Sequence, residues 1–312
     1  MKTNFYPFIP KIILLFLAFM PFLTKAQTEQ DALMMGTRKL CIAGSVGYNS
    51  WTNYWEGTFK RDNDNLGQVS TKSAMLMVNY GIKDNLNVMA SLPYVKIHAT
   101  QGTLNGLGGF QDLGVFVKWR PWQQQFGSQT ISLFAVGGYS TPSNKYNIDF
   151  LPMCIGLGSR VLSGRLIADV KVNKLFVTVS GAYMHRSNVE IDRPAYYTDH
   201  QINSHEVAMP DAGNFQLRTG YRTPRLIAEV FVDNMTTFGG FDIRKNDMPF
   251  VSNQMNSTKV GVEAKHYLAK IPSLGFHANA WHTVAGRNVG QATGFMAGVD
   301  YIFNLSPKSA NN

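Results

Sequence analysis

The chain has 312 residues, 45% of them hydrophobic, and sets 29 Lys and Arg against 20 Asp and Glu for a formal charge of +9. The cations are scattered rather than clustered, which argues against nucleic acid as a partner, and two cysteines are too few for a disulfide framework. Beyond the first 26 residues no apolar stretch is long enough to cross a bilayer as a helix, so membrane association would have to come from strands.

The N-terminus reads as a secretory signal. Met1-Lys2 and Lys11 form a basic start, Ile12 to Met20 an apolar run, and Pro21-Phe22-Leu23-Thr24-Lys25-Ala26-Gln27 a cleavage region with the cut placed after Ala26. Export leaves residues 27–312 as one domain with 26 basic and 20 acidic residues, a charge of +6. No cysteine follows the apolar run closely, so a lipid anchor is not expected. Cys41, inside a strand pattern, and Cys154 are expected as free structural thiols. No C-x-x-C or H-E-x-x-H spacing occurs, so neither a metal site nor a cofactor is predicted.

Twelve strands follow in order. They are predicted at Lys39–Trp51, Val69–Gly81, Leu86–Ile97, Gly109–Arg120, Gln129–Ser140, Gly164–Val172, Leu175–His185, Asn214–Arg222, Leu226–Met235, Asn256–Leu268, Leu274–Val284 and Thr293–Phe303. The tenth shows the reason best. Val260, Val262, Ala264 and Leu268 alternate with Lys259, Glu263 and Lys265, and a strand sends successive side chains to opposite faces. Such a ribbon suits either a secreted β-sandwich or an outer-membrane barrel with lipid outside and a polar lumen inside.

Connector lengths favour the barrel. Ile82-Lys83-Asp84-Asn85, Asn173-Lys174, Thr223-Pro224-Arg225 and Ala269-Lys270-Ile271-Pro272-Ser273 are short, whereas 52–68, 98–108, 141–163, 186–213 and 236–255 are long. The two kinds alternate, as periplasmic turns and extracellular loops do. Connector 121–128 is middling, 286–292 is a short outer turn, and 141–163 has room for a further strand pair. Aromatics gather at expected strand ends: Tyr80, Trp119, Trp122, Tyr221, Tyr267, Tyr301 and Phe303 at one level, Trp51, Tyr139 and Tyr183 at the other. Phe303, after Phe295, Ala297, Val299 and Tyr301, has the pattern of a last-strand assembly signal, which implies the barrel assembly machinery as a partner during biogenesis. The prediction is therefore an all-β, antiparallel transmembrane β-barrel of about twelve strands in the outer membrane of a Gram-negative-type bacterium.

Two stretches carry a resemblance. Tyr80-Gly81-Ile82-Lys83-Asp84-Asn85-Leu86-Asn87-Val88-Met89-Ala90-Ser91-Leu92-Pro93-Tyr94-Val95 has a strand with Leu-Pro-Tyr. Gly106-Leu107-Gly108-Gly109-Phe110-Gln111-Asp112-Leu113-Gly114-Val115-Phe116-Val117-Lys118-Trp119 has a glycine-rich turn into a lysine-bearing strand. Together, over about residues 69–122, they resemble the outer-membrane family labelled for the MetA pathway of phenol degradation. The turn here is longer than the family's, because Phe110-Gln111 separates the glycines from Asp112. The resemblance implies a transporter-like barrel for small, often aromatic compounds.

Strand alternation assigns an inward face. Its charged candidates are Asp112, Lys118, Arg165, Asp169, Arg218, Glu229, Lys259, Glu263, Lys265 and His277, since a cation facing lipid at mid-depth costs about 2–4 kcal/mol. Both signs are present, so ion pairs across the lumen are expected. Phe116, Phe134 and Trp281 share that face, which suits a hydrophobic or aromatic solute better than a simple ion. About twelve strands leave the lumen either open or plugged. Loop residues Tyr196, Tyr197 and His200, with Phe241, Arg244 and Arg287, are candidates for a gate, and Arg287 could also meet lipopolysaccharide phosphates. The function expected is passive uptake or binding of a small organic solute. The alternatives are a structural or surface-interaction barrel with a closed lumen, and a lipid hydrolase using Ser204 with His200 or His205. The hydrolase is disfavoured because no G-x-S-x-G elbow occurs and the residues are adjacent in sequence.

Overall fold

The computed structural model describes residues 28–306 except Asn246. The expected signal segment, residues 1–26, lies outside the described residues. Twelve antiparallel strands form the wall: β1 Lys39–Trp51, β2 Val69–Lys83, β3 Leu86–Ala99, β4 Asp112–Phe126, β5 Gln129–Pro142, β6 Val161–Val172, β7 Leu175–Arg186, β8 Ala212–Arg222, β9 Leu226–Thr237, β10 Asn256–Tyr267, β11 Leu274–Arg287 and β12 Thr293–Asn304. Each pairs with its sequence neighbours, and β1 pairs with both β2 and β12, so the sheet closes and no edge is left.

The alternation read from the sequence sets the two faces. Along β10, Val262 is 54% exposed on the outer wall, while Lys265 is buried inside. Leu166, Val177, Val230, Phe276 and Phe295 continue the outer apolar surface on neighbouring strands. A one-residue register slip of β4, β8 or β10 would turn Lys118, Arg218 or Lys265 outward, so the pattern strongly specifies the pairing. Both cysteines are free and buried.

Strand ends differ from the sequence reading in one instructive place. β4 runs to Phe126 and β5 begins at Gln129, so the middling connector 121–128 contracts to Gly127-Ser128, with Gly127 at φ +57°. Pro121 sits inside β4 at a bulge between Trp119 and Trp122, where its missing N–H interrupts no pairing. The short turns lie at one rim and the long connectors at the other. Connector 141–163 holds a short 3-10 turn, Ile148–Phe150, rather than another strand pair.

Two aromatics leave their expected level. Tyr267 is buried inside the barrel against Met35, Cys41 and Ile302, because it shares parity with Glu263 and Lys265. Trp51 likewise points inward, under the loops with Leu66, Val69, Ile97 and Met153. Trp119, Trp122, Tyr139, Tyr183, Tyr301 and Phe303 are exposed on the outside.

Candidate permeation lumen

The lumen is occupied at its short-turn end by the chain's own residues 28–36. This segment precedes β1 and threads between the walls as a plug. Ala32 packs on Phe134, Val136 and Ile167; Leu33 on Phe176 and Ile227; Met35 on Cys41, Tyr267 and Ile302. The plug's apolar residues therefore touch three separate sectors of the wall. It leaves past Gly81, where a Cβ would stand 2.1 Å from the Gly36 carbonyl oxygen, so only glycine admits the chain there. Thr37 then donates its backbone N–H and hydroxyl to Asp84 in the adjoining turn, at 2.8 and 2.7 Å. These bonds hold the Asp84 carboxyl below the usual carboxylate range.

Asp31 is the electrostatic hub of the plug. Lys118 from β4 donates to its Oδ1 at 3.0 Å, to its backbone carbonyl, and to the Thr28 carbonyl at 2.9 Å. Lys265 from β10 stands 3.7 Å from Oδ2 and 3.1 Å from Glu263. Glu263 in turn lies 3.1 Å from Arg218, which also pairs with Glu229. The result is a buried chain of three cations and three anions, Lys118–Asp31–Lys265–Glu263–Arg218–Glu229, running from wall to plug to wall. Its charges sum to zero, which is what lets ions leave water without one being stranded. Burial raises the Asp31 pKa, but the two lysines outweigh it and hold the carboxyl down at about 2.

All the inward candidates on strands do face the lumen, in distinct groups. Lys118, Arg218, Glu229, Glu263 and Lys265 make the chain just described. Asp169 is held by both oxygens to Arg222 Nη1 at 3.2 Å, and the Arg222 guanidinium lies 3.7 Å over the Phe176 ring. Arg165 donates to Ser180 at 2.9 Å and Asn214 at 2.8 Å. Lys259 lies 4.6 Å over Trp281. Phe116 and Phe134 flank the plug, with the Lys118 ammonium 5.5 Å from the Phe134 ring. His277 meets Asp300 at 3.2 Å. Asp112 stands apart at the long-loop rim, accepting from Tyr146 at 3.2 Å. Sequence reasoning missed the plug itself. The available signal was Asp31-Ala32-Leu33-Met34-Met35, one acid before an apolar run too short to be a wall strand.

The long loops fold into a cap with its own core. Ile148, Cys154, Val189, Ile191, Val207, Met209 and Val251 pack together, drawn from three connectors. Several gate candidates meet here. Tyr196 stacks on Phe250 at 5.3 Å, Phe241 reaches Phe250 at 6.1 Å, and Arg244 lies 4.2 Å over Tyr197. His200 does not join them; it is exposed and bonded to its neighbour Asp199. Arg287 commits its guanidinium to Asp242 at 2.8 and 2.7 Å, so it ties the cap down rather than projecting toward lipid phosphates. That bond keeps the Asp242 carboxyl below its ordinary range. Asn288, in the left-handed region at φ 54°, accepts from the Gly57 and Ile243 N–H groups and donates to Asp242 and Gln254. The Ser204 hydroxyl bonds the Glu206 backbone rather than an imidazole.

Above the plug lies a hollow of about 380 Å³, within the size range of small-molecule pockets. One side carries Arg218, Glu263 and Lys265; the other carries Met75, Met77 and Met296.

No family model matches the chain, and no curated protein matches it. Among solved structures the chain is similar to the COG4313 outer membrane channel from Pseudomonas putida F1, with 12% identity and a TM-score of 0.69 over 90% of this chain and 100% of that one. A NanC porin (11% identity, TM-score 0.45, 84% and 98% covered) and the translocator domain of the autotransporter NalP from Neisseria meningitidis (10%, 0.43, 84% and 87%) align more loosely and carry no weight here. At 12% identity the first similarity speaks to architecture, and on that the geometry and the comparison agree: the protein has the fold of an outer-membrane-type β-barrel with twelve strands.

Proposed function

We propose that this protein is an outer-membrane channel that takes up or binds a small organic solute, passively and down its gradient. The observation that carries the reading is the hollow between plug and cap, which sets thioether and alanine surface against a neutral ionic chain. A pocket with apolar walls and a few fixed polar groups orients an amphipathic or aromatic guest. The sequence resemblance to the MetA-pathway barrels and the similarity to a P. putida outer membrane channel support the same direction. Lipid and lipopolysaccharide surround the wall, and the barrel assembly machinery inserts it.

The plug makes a second reading specific: a barrel whose lumen stays shut and which serves as a structural or surface-interaction element. Liposome swelling with small aromatic solutes separates the two. The channel reading expects uptake by the wild-type barrel, and faster uptake when the plug is released by Asp31→Asn. Absence of flux from both proteins, with intact heat-modifiable gel mobility, would leave the closed barrel as the function.

A further inference from the structure

The hollow above the plug also contains a set of side chains able to act as metal donors. One register row crosses four strands: His277 on β11 lies opposite Gly298 on β12, Gly298 opposite Ser45 on β1, and Ser45 opposite Met75 on β2. The two middle residues are small, so they form a floor between an imidazole and a thioether. The His277 ring already lies over that floor, since a Cβ at Gly298 would be 2.4 Å from its Nε2. Met296, two residues along β12 on the same face as Gly298, and Met77, two residues along β2 from Met75, line the same hollow.

The imidazole is oriented as a ligand. Its Nδ1 meets Asp300 at 3.2 Å, and Asp300 is almost fully buried. In the neutral tautomer that carries its proton on Nδ1 toward Asp300, Nε2 offers its lone pair to the hollow, the arrangement that metal-bound histidines share. Among the other residues lining the hollow, Met75, Met77 and Met296 offer neutral sulfurs, while the Glu263 carboxylate is already held by Arg218 and Lys265. Among the described residues no group of three His, Cys, Asp or Glu could hold a metal ion, so a hard or borderline divalent ion lacks a site. Thioether with imidazole instead selects a soft monovalent ion. Cys41, which also borders the hollow, is packed against Met35, Tyr267 and Ile302.

We propose that His277 Nε2 with the thioethers of Met75 and Met296 forms a binding site for a soft monovalent metal cation, of the Cu(I) or Ag(I) class, inside the lumen. The site uses the methionines of the same hollow as sulfur donors, and it stands whether or not an organic solute passes. It also runs against the sequence expectation of no metal site, because its ligands come from three strands and form no linear motif.

The test is titration of the purified full-length barrel in detergent with silver nitrate in chloride-free buffer, followed by calorimetry. Ag(I) is the probe because it needs no reductant. The Cys41→Ala/Cys154→Ala protein, rid of the two free thiols that would take up silver themselves, should bind one equivalent. Met75→Leu/Met296→Leu should weaken binding at least about tenfold, while its near-conserved volume preserves the barrel, as checked by heat-modifiable mobility. Excess Zn(II) should not displace the silver. The proposal is overturned if the cysteine-free protein loses the site, if the Met→Leu protein binds as tightly as wild type, or if Zn(II) competes. His277→Gln, checked for heat-modifiable mobility, should act in the same direction as the methionine changes.

Discussion

Replacing Asp31 by Asn should release the plug. The change keeps shape but removes the plug carboxylate that pairs with both Lys118 and Lys265. The buried chain then carries three cations and two anions, and Lys118 has lost its salt-bridge partner. Breaking one partner of a buried pair typically costs about 3–5 kcal/mol. Lys118 keeps its two backbone carbonyl acceptors, Thr28 and Asp31, so the lower end, about 3 kcal/mol, is expected. The strain is relieved by undocking, which lets water reach both ammonium groups. In a Cys41→Ala/Cys154→Ala background, Ala32→Cys reports docking through its rate of modification by a water-soluble maleimide. About 3 kcal/mol corresponds to a rate rise of about a hundredfold. Adding Lys118→Met to Asp31→Asn restores charge balance, because Lys265–Glu263–Arg218–Glu229 is neutral by itself. The double variant should therefore label more slowly than Asp31→Asn alone, a coupling that a double-mutant cycle measures directly. A single-variant rate within about twofold of wild type, or a double variant no better than the single, would refute the electrostatic clamp.

Further outcomes follow from the same geometry. The Asp31 carboxyl is held at about 2 when docked, against 3.8 ordinarily. A depressed pKa stabilises docking above the ordinary value and loses that contribution as pH falls toward the docked value. Labelling at position 32, by a reagent whose own rate is corrected for pH, should be flat from neutrality to about pH 4. It should then rise between about 4 and 2, by about 2 kcal/mol in all. Asp169→Asn leaves the buried Arg222 guanidinium without its carboxylate and should lower the temperature of heat-modified gel migration, at a cost of about 3–5 kcal/mol; an unchanged temperature would show that the stacked Phe176 ring suffices. Phe250→Ala removes the ring on which Tyr196 and Arg193 rest. It should loosen the cap by about 3 kcal/mol and expose residues 187–211 to limited proteolysis, while the barrel itself resists.

The aromatic levels show where period-two reading succeeds and where its limit lies. Position at a strand end is the basis on which all these aromatics are expected in the outer belts. Tyr139, Tyr183 and Trp119 do face outward, whereas Tyr267 and Trp51 turn inward because their parity is that of the lumen residues. Connector 121–128 looked like a loop because Pro121 breaks a strand pattern locally. The wall absorbed it with a bulge, which costs one ladder position rather than the strand.

Alternation of side chains along twelve ribbons is a local property, repeated until closure is the only arrangement that leaves no backbone group unpaired in lipid. That is why the chain by itself determined the wall, a count of about twelve strands, and the parity that turns Lys118, Arg218, Glu263 and Lys265 inward; that connector 141–163 adds no strand pair came from the structure. The plug, the zero-sum ionic chain and the cap have no period. Asp31 finds Lys118 and Lys265 across 87 and 234 residues of sequence, and His277 comes into one register row with Met75 only through the order in which four strands lie side by side. Which buried charge answers which, and whether a lumen is filled by its own N-terminal segment, depend on closed-barrel geometry, and only the tertiary structure decided them.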